Sequence, residues 1–130
     1  MTLTGGVSVL QVHPTRRCNL QCAHCYSSSG PRERDTIPSD RLVELIGAAG
    51  RLGYGQLSVS GGEPLLYPDL AALLLAGRAA DMTTTITTNG MLANGNRLRP
   101  LTGLLNAIAI SLDGIPETHN ALRGHPEAFA

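Results

Sequence analysis

The sequence predicts an α/β fold, a partial (β/α) TIM-like barrel with about four βα units. Two observations support this prediction. Short apolar or β-branched runs alternate along the chain with segments of helical periodicity, and the runs end in cysteine-, glycine-, asparagine- or serine-containing motifs. Alternating strands and helices form parallel sheets with right-handed crossovers. Because active sites in such barrels lie at the carboxyl ends of the strands, we expect these motifs to share one face.

The first half of the chain contains two predicted strands with a helix between them. Residues 7–13 are rich in Val and Leu, lack a helical period and stop at Pro14, which favours a buried strand. Residues 39–52 place apolar side chains at helical spacing between Pro38 and two glycines, which predicts a crossover helix. Residues 56–60 predict a second short strand that ends in Gly-Gly-Glu-Pro.

The second half repeats this alternation. Residues 67–80 predict a helix, the threonine-rich run 82–88 predicts a third strand, and residues 107–112 predict a fourth. The stretch 91–102 between them is assigned a short helix. Asn89-Gly90 alone would favour a hairpin, but no alternating strand follows, so we prefer a loop at the end of a parallel strand.

The composition excludes several classes of protein. Ten basic and ten acidic residues cancel among 130, so the charge indicates neither a nucleic-acid nor a membrane partner. No unbroken apolar segment resembles a signal peptide or reaches the ~20 residues of a membrane span. All three cysteines lie within eight positions, a poor disulfide framework. We therefore expect a cytoplasmic protein in a reducing compartment, with a metal.

The end of the chain looks incomplete. His125, Pro126 and Glu127 resemble the opening of a helix, yet the sequence stops at Ala130. Four parallel strands cannot close a barrel, and an open edge exposes unpaired backbone groups. We therefore expect residues 1–130 to be a core domain truncated at its C-terminus.

The three cysteines predict a metal site in a single loop. Cys18, Cys22 and Cys25 are separated by three and then two residues, and soft thiolates favour iron–sulfur clusters, copper(I) or zinc. Three ligands on a four-iron cube would leave one iron open for chemistry. The alternatives are a zinc site completed by His13 or His24, or three buried free thiols.

Motifs at the other strand ends suggest a ligand site. Gly61 and Gly62 remove side chains where a ligand must approach the backbone, Glu63 adds an acceptor that suits an amino group, and Pro64 fixes the turn. A tight strand-to-helix turn explains the same four residues. Turn chemistry is likewise the alternative for Thr88 and Asn89, and for Asp113 after Ser111, whose hydroxyl follows a buried-looking strand end.

Together these motifs resemble the radical S-adenosylmethionine (radical SAM) superfamily. The resemblance rests on the Cys-x3-Cys-x2-Cys run, then Gly-Gly-Glu-Pro, then Ser-Leu-Asp-Gly at family-like distances, and it covers almost the whole chain. It implies a six-unit core of which this chain supplies about four units. It also implies that the cysteines hold a 4Fe-4S cluster whose open iron binds S-adenosyl-L-methionine, and that the cofactors carry the radical chemistry.

The resemblance also implies roles for residues around the cofactor. His24 occupies the position that lies near the adenine, with Tyr26 as an alternative neighbour. Gly-Gly-Glu-Pro contacts the amino group of S-adenosylmethionine, which makes Glu63 a binding residue rather than an acid or base. Gly62→Val should then weaken S-adenosylmethionine binding while sparing the cluster. The implied cofactor-binding residues are His24, Gly61, Gly62, Glu63, Pro64, Asn89, Ser111 and Arg123.

Within the superfamily the closest resemblance is to the peptide- and protein-modifying, SPASM-associated branch. It implies a peptide or protein substrate and an electron donor such as flavodoxin or ferredoxin. Arg123 would pair with the cofactor carboxylate, although Asn120 stands where relatives often carry Asp. A small-molecule enzyme related to molybdenum cofactor synthesis shares the first motifs. An iron–sulfur or zinc binding module without turnover is the non-enzymatic alternative.

Overall fold

A computed structural model describes residues 7–18, 32 and 34–111. Their elements follow the predicted order. The strands are β1 (Val9–Val12), β2 (Gln56–Val59), β3 (Thr83–Thr88) and β4 (Ala107–Ile110), and the helices are α1 (Ser39–Arg51), α2 (Leu70–Ala79) and α3 (Gly95–Leu98). Short 3₁₀ turns cover Pro64–Leu66 and Arg99–Leu101. No helix in these described ranges is long and apolar enough to cross a membrane.

The four strands form one parallel sheet in the order β1-β2-β3-β4. The pairing places Val12 beside Val59, Val59 beside Ile86, and Thr88 beside Ile110. Every strand therefore runs in the same direction, and the carboxyl ends lie along one edge. This arrangement confirms the predicted α/β fold with a parallel, TIM-like sheet.

The core lies between the sheet and helices α1 and α2. Leu57, Val59 and Ile86 contribute fully buried side chains from the two central strands. The helices cover them with Ile46, Leu73 and Leu74, which are also fully buried. The predicted crossover helices thus serve as the outer layer, as helices do in βα units.

The two outer strands are less buried than the sequence suggests. β1 was predicted to be buried, but Val9 is 47% exposed. The sequence also suggests that the end of β4 is buried. This expectation is wrong, since every residue of β4 is exposed and Ile110 is 60% exposed. Both strands lie at sheet edges, where one side has no neighbouring strand in the described part of the chain. Apolar composition alone does not distinguish an edge strand from a central one.

Helix α2 begins three residues later than predicted. Pro64 opens the 3₁₀ turn, and Tyr67 is extended at ψ 116° because it precedes Pro68. Residues 64–69 therefore form a connection that carries the chain from the end of β2 to the start of α2 at Leu70. Glu63 lies directly before this connection, and its side chain is hydrogen-bonded to Thr88 and Asn89 at the end of β3.

Candidate functional site

Described residues from each of the predicted motifs lie at the carboxyl edge of the sheet. Cys18 follows β1, Gly61 follows β2, Asn89 follows β3 and Ser111 follows β4. Backbone hydrogen bonds extend the ladder past the strands: Ser60 N donates to the carbonyl of Val12 at 2.9 Å, and Ser111 N donates to that of Thr88 at 3.0 Å. The prediction that these motifs share one face is confirmed for these strand ends.

Gly61 and Gly62 lie against the chain that leads to Cys18. Gly62 N donates to Thr15 O and Glu63 N donates to Arg17 O, both at 2.8 Å. A Cβ on Gly62 would lie 2.1 Å from Arg17 O, and Gly61 has a φ of +102°, which L side chains rarely adopt. The backbone that comes close to these glycines, among the described residues, is therefore the protein's own.

The segment before Cys18 is held from a second side as well. Ile37 N donates to Pro14 O at 2.8 Å, and Arg16 N donates to Asp35 O at 3.0 Å. Inside the segment, Arg17 N donates to the Thr15 hydroxyl at 3.0 Å. The backbone that leads to Cys18 is thus hydrogen-bonded on both sides.

Glu63 is a buried carboxylate that joins β2 to β3. Its side chain has no exposed surface. Oε1 accepts from Asn89 N at 2.9 Å, Oε2 accepts from Leu65 N at 2.9 Å, and the Thr88 hydroxyl lies 2.7 and 2.8 Å from the two oxygens. These donors occupy the acceptor positions of an ionised carboxylate. Glu63 therefore fixes the loops after two adjacent strands.

Burial and hydrogen bonding shift the pKa of Glu63 in opposite directions. Burial raises the pKa of its carboxyl above the ordinary value of 4.5. The hydrogen bonds from Leu65, Asn89 and Thr88, and the positive charge of Arg97, lower the pKa but do not cancel the effect of burial. The carboxylate is thus held by directed donors at a place where its charge is poorly solvated.

Arg97 was not predicted to belong to this region. Its guanidinium donates to the Leu65 carbonyl at 2.9 Å and so supports the turn that follows Glu63. Arg97 lies on α3, whose start is capped where the Asn94 side chain accepts from Arg97 N at 3.1 Å. The Asn94-Gly95 pair marks the helix start, but nothing in the sequence indicates which loop the arginine reaches.

Asn89 connects this network to the first cysteine. Its Nδ2 lies 3.8 Å from Cys18 Sγ, within the longer range of hydrogen bonds to sulfur. Its Oδ1 accepts from Met91 N at 2.9 Å. Asn89 is 8% exposed and Cys18 is 7% exposed, so this contact is shielded from water. An N–H donor beside a buried sulfur fits a thiolate that ligates a metal.

The predicted site residues are only partly described. Cys18, Gly61, Gly62, Glu63, Pro64, Asn89 and Ser111 lie in the described ranges and are placed along one edge of the sheet. Cys22, Cys25, His24, Tyr26 and Arg123 lie outside them. Within residues 7–18, 32 and 34–111 there is no group of three or more side chains able to ligate a metal. The soft donor Cys18, with its N–H partner, is the part of the described chain that fits an iron–sulfur cluster.

Comparison with protein families gives one match over most of the chain. Residues 12–129 match the model described as "Radical SAM superfamily". Among curated proteins, the Fe-coproporphyrin III synthase of Methanosarcina barkeri is 36% identical over 88% of this chain and 29% of that protein. The sporulation killing factor maturation protein SkfB of Bacillus subtilis is 28% identical over 88% of this chain and 28% of its own length. The chain thus spans less than a third of these relatives.

Solved structures agree with this result. Streptococcus suis SuiB bound to S-adenosylmethionine superposes with a TM-score of 0.76 at 27% identity, over 94% of this chain and 29% of SuiB. SuiB has also been solved with its precursor peptide SuiA, with a TM-score of 0.77 at 26% identity. The described α/β sheet therefore matches part of the larger barrel found in these proteins.

Proposed function

We propose, since this chain belongs to the radical SAM superfamily, that it carries the cluster-binding part of an enzyme that acts on a peptide or protein. Members of the superfamily use a 4Fe-4S cluster and S-adenosylmethionine. Cys18, Cys22 and Cys25 would hold the cluster. When bound, it supplies the electron that cleaves S-adenosylmethionine reductively, and the resulting radical takes a hydrogen from the substrate.

The placement of Cys18 is the observation that carries this proposal. Its buried sulfur lies at the carboxyl end of β1, beside Asn89 and directly after backbone that hydrogen-bonds to Gly62 and Glu63. The carboxyl edge of a βα sheet is where such folds build their sites. A cysteine with only a packing role would not require the N–H donor of a neighbouring strand end.

The chain's own residues would hold and orient the bound groups. Glu63 locks the loops after β2 and β3, so its side chain organises the backbone on which S-adenosylmethionine would rest. Ser111 offers a hydroxyl at the end of β4 for a ribose or carboxylate oxygen. Within the proposal, the S-adenosylmethionine site is built from one predicted set: His24, Gly61, Gly62, Glu63, Pro64, Asn89, Ser111 and Arg123. Of these, Glu63 is fully buried and acts by holding the loops, not by direct contact.

Two comparisons support a peptide or protein substrate. SuiB has been solved with a precursor peptide, and SkfB is named for the maturation of a killing factor. A donor such as flavodoxin or ferredoxin would supply the electron. Because the chain spans only 29% of SuiB, these assignments concern the whole enzyme of which such a domain is part.

A second candidate is the modification of a tetrapyrrole. The Fe-coproporphyrin III synthase shares 36% identity with this chain, more than the 28% of SkfB. Both relatives align over 88% of the chain, so the difference does not come from coverage. The cluster and the S-adenosylmethionine site would be the same for either substrate, and only the abstracted hydrogen would differ.

Deuterium transfer distinguishes the two substrates. The reconstituted, reduced chain is incubated with S-adenosylmethionine and either a peptide mixture or a porphyrin fraction, each prepared from fully deuterated cells. Mass spectrometry then measures deuterium in the released 5′-deoxyadenosine. Deuterium from the peptides alone supports the proposal, and deuterium from the porphyrin alone replaces it with the second candidate. Stoichiometric zinc without sulfide in the purified chain would instead favour the non-enzymatic binding module.

A further inference from the structure

Asn89 is oriented toward the first cysteine by its own turn. The backbone N–H of Met91 donates to Asn89 Oδ1 at 2.9 Å, which identifies that end of the amide as the acceptor. The other end is therefore the NH₂ group, and it lies 3.8 Å from Cys18 Sγ. The orientation of the donor follows from the hydrogen bond at the opposite end of the same side chain.

Hydrogen bonds hold the backbone of Asn89 as well as its side chain. Its N–H donates to Glu63 Oε1 at 2.9 Å, and the preceding Thr88 hydroxyl also contacts the carboxylate. Gly90 N in turn donates to the Thr88 hydroxyl at 3.1 Å, and Gly90 has a φ of +86°. The loop after β3 is thus held by the buried carboxylate on one side and by its own turn on the other.

From these contacts we infer that Asn89 is a positioning residue for the cluster. Its amide N–H stabilises the ligating sulfur of Cys18 and raises the reduction potential of the cluster. This inference rests on the proposed function. It gives Asn89 a role different from contact with S-adenosylmethionine, because the side-chain oxygen is used by Met91 and the nitrogen faces the cysteine.

The direction of the effect follows from charge. One-electron reduction adds negative charge to the cluster and its thiolates, so an N–H dipole aimed at a ligating sulfur stabilises the reduced state more than the oxidised state. Shielding from water strengthens that interaction. Removal of the donor should therefore make reduction less favourable by up to about tenfold in the equilibrium constant, or about 59 mV for one electron.

Two substitutions separate the donor from other roles of Asn89. Asn89→Ala removes the amide. Asn89→Asp keeps an oxygen for Met91 N but replaces the donor with a carboxylate oxygen, so the turn is preserved. The same two substitutions at Asn94 are matched controls, since Asn94 also accepts from a backbone N–H, at 3.1 Å, but lies on the exposed start of α3.

The measurement is a potentiometric titration of the reconstituted chain followed by electron paramagnetic resonance. We expect both Asn89 variants to have lower potentials than the parent, with Asn89→Asp the lower, and both Asn94 variants to stay at the parent value. Pulsed electron–nuclear double resonance in D₂O should also lose one exchangeable deuteron coupling in Asn89→Ala. A merely structural role would not remove a specific coupling.

Several outcomes would overturn the inference. These are an unchanged potential in Asn89→Ala, a shift in Asn89→Asp alone, equal shifts at Asn94, or loss of the cluster from both Asn89 variants. The last result would make Asn89 a residue needed for assembly and not for tuning. Failure of the proposed function is distinguishable, because the parent chain itself would then show no four-iron signal.

Discussion

The buried hydrogen bond between Thr88 and Glu63 offers the sharpest test of how the site is held together. Thr88 is 1% exposed, and its hydroxyl lies 2.7 and 2.8 Å from the carboxylate oxygens. Thr88→Val replaces this hydroxyl with a methyl group of similar size, so little cavity forms. The substitution removes a donor from a buried carboxylate and an acceptor from Gly90 N, which contacts the hydroxyl at 3.1 Å.

The expected loss in the free energy of unfolding is about 2–3 kcal/mol. A hydrogen bond to a charged group contributes about 1.5–3 kcal/mol, and the N–H of Gly90 loses its partner as well. At about 2.1 cal/mol/K per residue of unfolding entropy, this loss corresponds to a fall of about 7–11 °C in Tm. Thermal unfolding followed by circular dichroism measures it.

A control and a double-mutant cycle make this prediction specific. Thr87→Val makes the same change one position earlier, on the opposite face of β3, and should alter the free energy of unfolding by less than about 0.5 kcal/mol. In a Glu63→Gln background, Thr88→Val should cost less than in the parent, with a coupling energy of about 1–2 kcal/mol. Equal effects of the two valine variants, or additive effects of Thr88→Val and Glu63→Gln, would refute the reasoning.

Three further predictions concern Glu63, Gly62 and Cys22. The raised pKa of Glu63 makes the folded state hold this proton more tightly than the unfolded state. The contribution of Glu63 to the free energy of unfolding should therefore be fully present below pH 4.5 and be lost as pH rises through the raised pKa; in denaturant titrations, Glu63→Gln should remove this part of the pH dependence. Gly62→Val should lower stability by about 1–3 kcal/mol in the same assay, because its Cβ would lie 2.1 Å from Arg17 O. Cys22→Ala should abolish cluster assembly, measured as bound iron and sulfide, since two thiolates cannot hold the cube; normal contents would refute the ligand assignment.

The structure changes one expectation about Gly62. The sequence suggests that Gly62→Val weakens S-adenosylmethionine binding while sparing the cluster. A Cβ there would also lie 2.8 Å from the carbonyl carbon of Arg16, so the backbone leading to Cys18 must move. We therefore expect the variant to incorporate less iron as well. Full iron content with reduced S-adenosylmethionine binding would favour the original expectation.

The sequence predicted the alternation of elements well because each strand and helix has a distinct local pattern. The threonine-rich run 82–88 and the helical spacing at 39–52 predicted β3 and α1 within one residue at each end. Edge positions were not predictable in the same way. Val9 and Ile110 look like core residues in sequence, and only the strand order shows that β1 and β4 are the outer strands of the described sheet.

The partners of the site residues depended on long-range geometry. The sequence singled out Glu63 and Asn89 from their local motifs but not their contact with each other, which arises because Val59 pairs with Ile86 in the sheet. The approach of Gly62 to Arg17 has the same origin, since Val12 pairs with Val59. Local motifs therefore singled out Gly62, Glu63 and Asn89, and the register of the strands determined what these residues touch.

The central claim is that three cysteines of this chain hold a four-iron cluster with one open iron. Anaerobic reconstitution with iron and sulfide, followed by electron paramagnetic resonance of the reduced chain with and without S-adenosylmethionine, tests it most directly. We predict a four-iron signal that changes when S-adenosylmethionine is added. A chain that binds only zinc, or a cluster whose signal is the same with and without S-adenosylmethionine, would contradict the account.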